Sequence, residues 1–526
     1  DLKTTVLNLH FPESDELLSE ARRRMKYEEL FYLELLVASR KNNFKEKNIG
    51  IKFTVDTELI NNFIKSLPYE LTKAQLKVLS EIKKDMISDK TMNRLIQGDV
   101  GSGKTIVALI SMLIAVGSGY QVSLMAPTEI LAAQHAKNIS ALLKNFHTKF
   151  SEKEIKVTLL LGGQKKSVRN KKLDEIELQE SDIIIGTHAL LETDVQFRKL
   201  GMVVIDEQHR FGVLQRAQLL RKGIHPDTII MSATPIPRTL TMTLYGDLDV
   251  SVIDEMPKNR IPIKTLLRSE IKLPDIYKFI CDKAKENYQS FIVYPLVEES
   301  EKIELKAATE YYEKLKGTYF KDLRVALIHG RMKWQEKEEI MFLFAANQFD
   351  VLISTTVIEV GIDIPNANII LINDAHRFGL SQLHQLRGRV GRGNKQAYCV
   401  LVTGDELVAY SSHVSNRLEY LSTAQLEKYK SSVRLQSMVK YLDGFKIAEM
   451  DMKLRGPGDI FGIKQSGFPE LKYSDLTTDA EILLTAKTDA FEIIRIDPKL
   501  IQPIHSPIRK NLINHYSENL KYAQIA

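Results

Sequence analysis

The stretch Arg94-Leu-Ile-Gln-Gly98-Asp-Val-Gly-Ser-Gly-Lys104-Thr105-Ile-Val-Ala-Leu-Ile-Ser-Met112 decides the fold. A short strand pattern runs into a glycine-rich octet of the form G-x-x-x-x-G-K-[ST], and the octet runs into an apolar helical pattern, the context this motif requires. Glycine has no Cβ, so Gly98, Gly101 and Gly103, with Ser102, let the backbone wrap around phosphate oxygens. The exposed N–H groups and the helix N-terminus then face that negative charge. Lys104 is placed to reach β and γ phosphates, and the Thr105 hydroxyl to ligate Mg²⁺. A strand–loop–helix unit of this kind opens a βαβ series and predicts a doubly wound parallel sheet.

The same rhythm extends outward. Strands are predicted at Arg94–Gln97, Gln121–Ala126, Lys156–Leu161, Asp182–Gly186, Met202–Ile205 and Thr228–Met231, with helical windows between most of them. A Pro- and charge-rich segment, Glu255–Lys264, breaks the pattern and reads as a linker. Strands resume at Ser290–Tyr294, Arg324–Ile328, Val351–Ser354, Ile369–Ile372 and Ala397–Thr403, giving a second α/β unit in tandem with the first. Residues 1–50 read as helical with a charged connector at Lys41–Lys47, and the last stretch reads as helices broken by a Gly-rich loop at Arg455–Gly467.

Composition sets the outer bounds. The 526 residues are 44% hydrophobic and 27% charged, ordinary for a globular chain. The longest apolar stretch, Ile106–Val116, is interrupted by Ser111 and falls short of the ~18 residues a membrane span needs, so no membrane partner is expected. Cys281 and Cys399 form no C-x-x-C and read as reduced core thiols, consistent with a cytoplasmic protein. The sequence opens on Asp1 with no secretory pattern and reads as a piece of a longer chain. A net charge of +6 is compatible with a polyanionic partner, but it is the sites that point to one.

Val203-Val-Ile-Asp206-Glu207-Gln-His209 complements the phosphate loop. Three apolar residues form a buried strand, and two carboxylates stand at its C-terminal end, where an open parallel sheet binds ligands. Asp206 would hold Mg²⁺ and Glu207 would orient the attacking water. Gln75 lies 23 residues before Gly98, and its amide could bond an adenine edge bidentately. Read by chemistry alone it is a helix-surface glutamine. In Gln382-Leu-His-Gln-Leu-Arg387-Gly-Arg389-Val-Gly-Arg392, Arg389 and Arg392 share a face if the segment is helical. Guanidinium groups at that spacing suit the charge that phosphoryl transfer spreads over γ-phosphate oxygens.

The ordered set of Leu71-Thr-Lys-Ala-Gln75, the phosphate loop, Ala126-Pro-Thr-Glu129, Gly186-Thr-His188, Asp206-Glu-Gln-His209, Ser232-Ala-Thr234-Pro, Ser354-Thr-Thr…Gly361-Ile-Asp363 and the arginine block resembles the superfamily 2 helicases over about residues 67–403. That resemblance implies two RecA-like P-loop lobes with ATP between them. Arg389 and Arg392 would be arginine fingers, and Gly361 and Asp363 would sit near the ribose. Ser232 and Thr234 would couple nucleotide to lobe motion, and Pro127, Thr128, Gly186, Thr187 and Thr355 would lie along the nucleic-acid track.

Downstream, Arg434-Leu-Gln-Ser-Met and Asp443-Gly-Phe…Leu-Arg455-Gly-Pro-Gly…Lys-Gln465-Ser-Gly are similar to the translocation module shared by the RecG family and the transcription–repair coupling factors. Arg434 and Arg455 match the hairpin arginines, and Gln465 the loop glutamine. The Arg-Gly-Pro-Gly turn, the Gln-Leu-His-Gln block and the N-terminal Leu9-His-Phe-Pro segment favour RecG; Phe461-Gly-Ile-Lys464 departs from the common Leu-Gly-Thr-Arg. The resemblance implies an ATP-dependent duplex translocase acting on branched DNA in recombination and repair: stalled forks, Holliday junctions, D- and R-loops. It also implies a monomer, with single-strand DNA-binding protein as a partner. Two other readings stand beside it, a coupling-factor-like translocase and a non-hydrolysing, nucleotide-gated DNA-binding scaffold.

The expected organisation is a helical linker at 1–50 leading to a wedge domain outside this sequence, lobe 1 at 51–258, lobe 2 at 259–425, and the hairpin, loop and terminal helices at 426–526. Trp334 and the final ~50 residues read as packing and a helical cap.

Overall fold

The computed structural model describes the chain apart from residues 48–49, 151–153, 208–212, 233–247, 258–260, 296–300, 356–363, 415–428, 456–470, 477 and 526. A seven-stranded parallel sheet has the order β3-β4-β2-β5-β6-β1-β7. Its strands are β1 Asn93–Gly98, β2 Gln121–Met125, β3 Val157–Leu160, β4 Ile183–Gly186, β5 Leu200–Asp206, β6 Asp227–Ser232 and β7 Asp249–Ile253. A six-stranded parallel sheet has the order β10-β11-β9-β12-β13-β8. It comprises β8 Lys264–Ser269, β9 Gln289–Val293, β10 Val325–Ile328, β11 Val351–Ser354, β12 Ala367–Ile372 and β13 Tyr398–Thr403. These are the two tandem α/β lobes expected from the sequence.

Alternate residues of each strand feed cores on opposite faces. In β5, Met202 and Val204 pack in one cluster with helices Lys73–Met86 and Lys104–Gly117. Val203 and Ile205 pack in another with Leu190 and Leu219. A sheet covered on both faces needs near-continuous apolar strands, which is why these runs are legible in the sequence. The Ile106–Val116 stretch is the buried helix it was read to be.

Two edge strands, β7 and β8, escaped the sequence reading. Each borders only one neighbour and carries polar residues: β8 is nowhere fully buried and opens at the end of the expected linker. The connector at Lys41–Lys47 is likewise helical, continuing the helix Asp15–Lys47, with Lys41 Nζ 2.6 Å from Asp249 Oδ1 at the start of β7.

Two further packings fix the rest. Val433, Leu435 and Met438 of helix Lys430–Lys440 and Ile447, Met450 and Leu454 of helix Gly444–Arg455 share one core with the inner face of the second sheet. The helical hairpin is thus built onto lobe 2. The helix Asp15–Lys47 buries Leu30, Leu33 and Leu36 against the helices Ala480–Ile496 and Ser506–Ile525, joining the two ends of the chain in a third core. Cys399 is buried and Cys281 partly so; both are free thiols, and burial pushes Cys399 up to about 12. Among the described residues no helix is long and apolar enough to cross a membrane.

Candidate nucleotide site and lobe interface

The register of lobe 1 aligns the functional strand ends. Gln97 of β1 pairs with Ser232 of β6, and Asp206 of β5 pairs with Met231, so Gly98, Ser232 and Asp206 finish at one edge of the sheet. From that edge the loop 99–103 turns into the helix Lys104–Gly117, with Gly101 and Gly103 at φ +82° and +84°. At Gly103 a Cβ would lie 2.2 Å from Gln75 Nε2. Glycine is required there both for its left-handed backbone and for that approach. Gln75 Nε2 donates to Ser102 O (2.8 Å), and its Oε1 accepts from Thr72 N (2.9 Å). The structure therefore places Gln75 as a buried brace under the phosphate loop.

Lys104 Nζ donates to Gly98 O (2.7 Å) and Asp99 O (3.0 Å). Burial depresses its pKa, opposed by the carboxylates of Glu207, Asp206 and Asp99, and the positive charge of Arg392 adds to the depression. That last effect crosses the lobe interface, from an arginine of lobe 2 to the phosphate-loop lysine of lobe 1. Asp206 Oδ2 lies 2.9 Å from His135 Nε2. Glu207 has φ +55° and donates its N–H to Met231 O (2.9 Å). A non-glycine residue held in this region costs of order 1–3 kcal/mol and is characteristic of functional sites.

Helix Leu380–Arg387 brings lobe 2 to this edge. The helix stops at Arg387, Gly391 turns left-handed at φ +75°, and Arg389 and Arg392 follow in non-helical backbone. The helical spacing considered for the two arginines is therefore replaced by a turn, because the glycines at 388 and 391 end the helix. Arg392 folds back, its Nε donating to Gly388 O (3.5 Å). A Cβ on Gly388 would lie 3.0 Å from Val100 Cβ, so the backbone of lobe 2 packs there directly on a side chain of lobe 1. Beside that contact His384 Nε2 lies 2.6 Å from Asp99 Oδ1. Burial alone would raise the Asp99 pKa; His384, Val100 N and Lys104 outweigh it and hold the carboxyl low.

The remaining sequence candidates are distributed as follows. Thr128 Oγ1 accepts from Leu131 N (3.4 Å) at the start of helix Glu129–Phe150, with Pro127 preceding it. Gly186 ends β4, and its carbonyl accepts from Ala126 N (2.8 Å). Thr187 and Thr355 are buried, with hydroxyls that have no hydrogen-bond partner among the described residues. Ser232 is buried at the end of β6. Arg434 NH1 donates to His376 O (3.2 Å) and Phe378 O (3.0 Å), tying the hairpin to lobe 2. Thr234, Gly361, Asp363, Gln465 and the side chain of Arg455 lie outside the described residues.

Thr105 opens the helix after the phosphate loop and Asp206 ends β5, an oxygen pair of the kind Mg²⁺ uses together with water and substrate phosphates. Among the described residues no three His, Cys, Asp or Glu form a complete metal cage. Sequence reasoning missed His135, His384, Arg387 and the side chain of Asp99. Asp99, His384 and Arg387 fall within recognised motifs and His135 in none, and each meets a partner in another element.

Comparison with known proteins agrees with this architecture. Residues 72–243 match the DEAD/DEAH box helicase family, 271–394 the helicase conserved C-terminal domain, and 441–526 the family "ATP-dependent DNA helicase RecG, domain 3, C-terminal". The chain is 45% identical over 492 residues to the ATP-dependent DNA helicase RecG of Thermotoga maritima, covering 94% of this chain and 59% of that protein. It is 43% identical to RecG of Bacillus subtilis over 505 residues, covering 96% and 70%. A solved RecG bound to a three-way DNA junction superposes with TM-score 0.70 at 42% identity, covering 91% of this chain and 59% of that one. The Mycobacterium smegmatis helicase Lhr, at 17% identity and TM-score 0.53 over 76% of this chain and 57% of that one, shares the fold. The chain spans about 59% of the length of the Thermotoga maritima and Synechocystis relatives it matches. With two parallel-sheet lobes, a phosphate loop at their interface and a helical hairpin built onto the second, the chain belongs to the RecG family of ATP-dependent DNA helicases.

Proposed function

We propose that this chain hydrolyses ATP between its lobes and uses the cycle to move along double-stranded DNA, acting on branched substrates in recombination and repair. The observation that carries the reading is the meeting of the two lobes at the phosphate loop, where His384 Nε2 of lobe 2 lies 2.6 Å from Asp99 Oδ1 of lobe 1 and a Cβ on Gly388 would lie 3.0 Å from Val100 Cβ. Lys104 would leave its two loop carbonyls for the nucleotide phosphates. Glu207 would orient the attacking water, and Arg389 and Arg392 would close on the developing charge. Thr105 and Asp206 would hold Mg²⁺, which offsets phosphate charge when bound. Gln75 braces the loop that makes these contacts, with one amide hydrogen left to meet an adenine edge.

Arg434, Arg455 and Gln465 would convert lobe closure into a step on the duplex, along a track bearing Pro127, Thr128, Gly186, Thr187 and Thr355. A relative at 42% identity solved on a three-way junction supports a branched-DNA substrate. The same reading has a cytoplasmic monomer with single-strand DNA-binding protein as a partner, assigned segments 1–50, 51–258, 259–425 and 426–526, and Ser232 and Thr234 as coupling residues.

The test is ATP hydrolysis with and without duplex DNA. Wild type is expected to be stimulated at least ~10-fold, and Glu207→Gln to lose at least ~100-fold of that rate while still binding nucleotide. Absence of stimulation in wild type would overturn the motor reading. Triplex displacement from linear and three-way-junction substrates then measures branch preference.

A further inference from the structure

Asp99, the second residue of the phosphate loop, touches three elements at once. Its Oδ1 accepts from His384 Nε2 (2.6 Å) on the arginine helix and from its neighbour Val100 N (2.6 Å). Its Oδ2 accepts from Gly444 N (3.2 Å), the first residue of the second hairpin helix. His384 Nδ1 lies 3.0 Å from Arg387 NH2. A guanidinium can only donate, so Nδ1 accepts and the ring proton sits on Nε2, directed at Asp99. Arg387 NH1 in turn donates to Met438 O and Tyr441 O (2.8 Å each) at the end of the first hairpin helix. The result is a closed ring from phosphate loop to arginine helix to hairpin and back. His384 and Asp99 side chains are only 7% and 13% exposed, so water competes little for these bonds.

We propose that Asp99 is the positioning residue through which the phosphate loop drives the hairpin, by way of His384–Arg387 on one side and the Gly444 N–H on the other. The proposal rests on the motor reading above and names the atoms that link its two ends. Lys104 holds the Asp99 carbonyl at 3.0 Å. A nucleotide phosphate that recruits Lys104 releases that carbonyl and lets the loop re-form around the phosphate, and the Asp99 carboxylate moves with it. The carboxylate also stands at the N-terminus of the helix Gly444–Arg455, where negative charge is favoured. Its displacement therefore pulls on the hairpin through a directional bond and through the helix dipole together.

The experiment compares triplex displacement per ATP hydrolysed on linear duplex, with duplex-stimulated hydrolysis and the KM for ATP measured on the same 526-residue chain. His384→Leu removes both ring bonds. It is expected to cut displacement per ATP by about tenfold, a coupling loss of ~1.4 kcal/mol, while ATP KM moves less than ~3-fold. His384→Gln can donate to Asp99 and accept from Arg387, and is expected to restore coupling to within ~3-fold. Gly444→Pro removes the N–H that Asp99 accepts from, at the first helical position, where proline is tolerated, and is expected to uncouple independently. If His384→Leu fails to fold, Gly444→Pro decides. Wild-type displacement per ATP in the folded variants overturns the relay. Wild type that shows no duplex-stimulated hydrolysis overturns the motor reading instead, so the two failures are distinguishable.

Discussion

At the scale of single residues, the phosphate loop is held from beneath as well as shaped by its own glycines. Gly103 sits at φ +84° with Gln75 Nε2 where a side chain would be. Gly103→Ala thus meets two separate penalties, a clash and a left-handed backbone costing roughly 1–2 kcal/mol for an L-residue. Removing the glutamine relieves only the first. Nucleotide titration should therefore rank the variants: Gly103→Ala weakest, Gly103→Ala with Gln75→Ala intermediate, and Gln75→Ala alone tightest among the three. Equal affinity of the single and double alanine variants at Gly103 would show that the Gln75 contact is irrelevant to the loop. The same logic explains the Gly388–Val100 contact. A side chain at position 388 would press on the Val100 side chain and hold the lobes apart.

At the scale of secondary-structure elements, charge buried at strand ends carries a cost that pH reveals. Asp227 opens β6 and accepts from Met92 N (2.8 Å), the residue before β1, clamping two neighbouring strands at the edge away from the nucleotide. Burial, reinforced by Asp85, outweighs the Met92 hydrogen bond and raises its pKa to about 8. An unfolded Asp titrates near ~4. Between these values the native state binds a proton that the unfolded state has lost, so stability is fullest below the unfolded pKa and declines as pH rises through about 8. Asp227→Asn keeps the acceptor for Met92 and removes the ionisation. Its melting temperature should fall less than that of wild type between pH 6 and 8.5, by a margin of at least ~2 °C. Identical slopes would mean that Asp227 is already ionised in the folded protein.

At the scale of the whole molecule, the chain closes on itself. The helix Asp15–Lys47 packs on Ala480–Ile496, so segments more than 400 residues apart form one core, and Met452 of the hairpin joins it. The hairpin is thereby held between lobe 2 and this terminal core. Leu36 is fully buried in it. Leu36→Ala should destabilise this unit by about 3 kcal/mol. The observable is an earlier unfolding transition with the affinity of lobe 1 for a fluorescent ATP analogue unchanged. A single cooperative transition in which nucleotide affinity falls in parallel would show that the terminal core and lobe 1 are one folding unit.

The sequence by itself determined the elements and the chemistry within each of them. Strands buried on both faces must be apolar throughout, and a phosphate loop must combine glycines, lysine and a hydroxyl at fixed spacing. Both are local requirements, so β1, β5, the loop at 98–105 and the carboxylates at 206–207 were legible. The edge strands β7 and β8 were not, because β8 has no fully buried residue and β7 buries only Ser251 and Ile253, so neither needs an apolar run. Tertiary structure alone decided which charges meet. Asp99 and His384 are 285 residues apart, and nothing in the spacing of either predicts the other. Gln75 became a brace, the Arg389–Arg392 segment a turn, and the two chain ends a common core. Such contacts depend on sheet order and on how closely two lobes approach, which are properties of the packed chain rather than of any stretch of it.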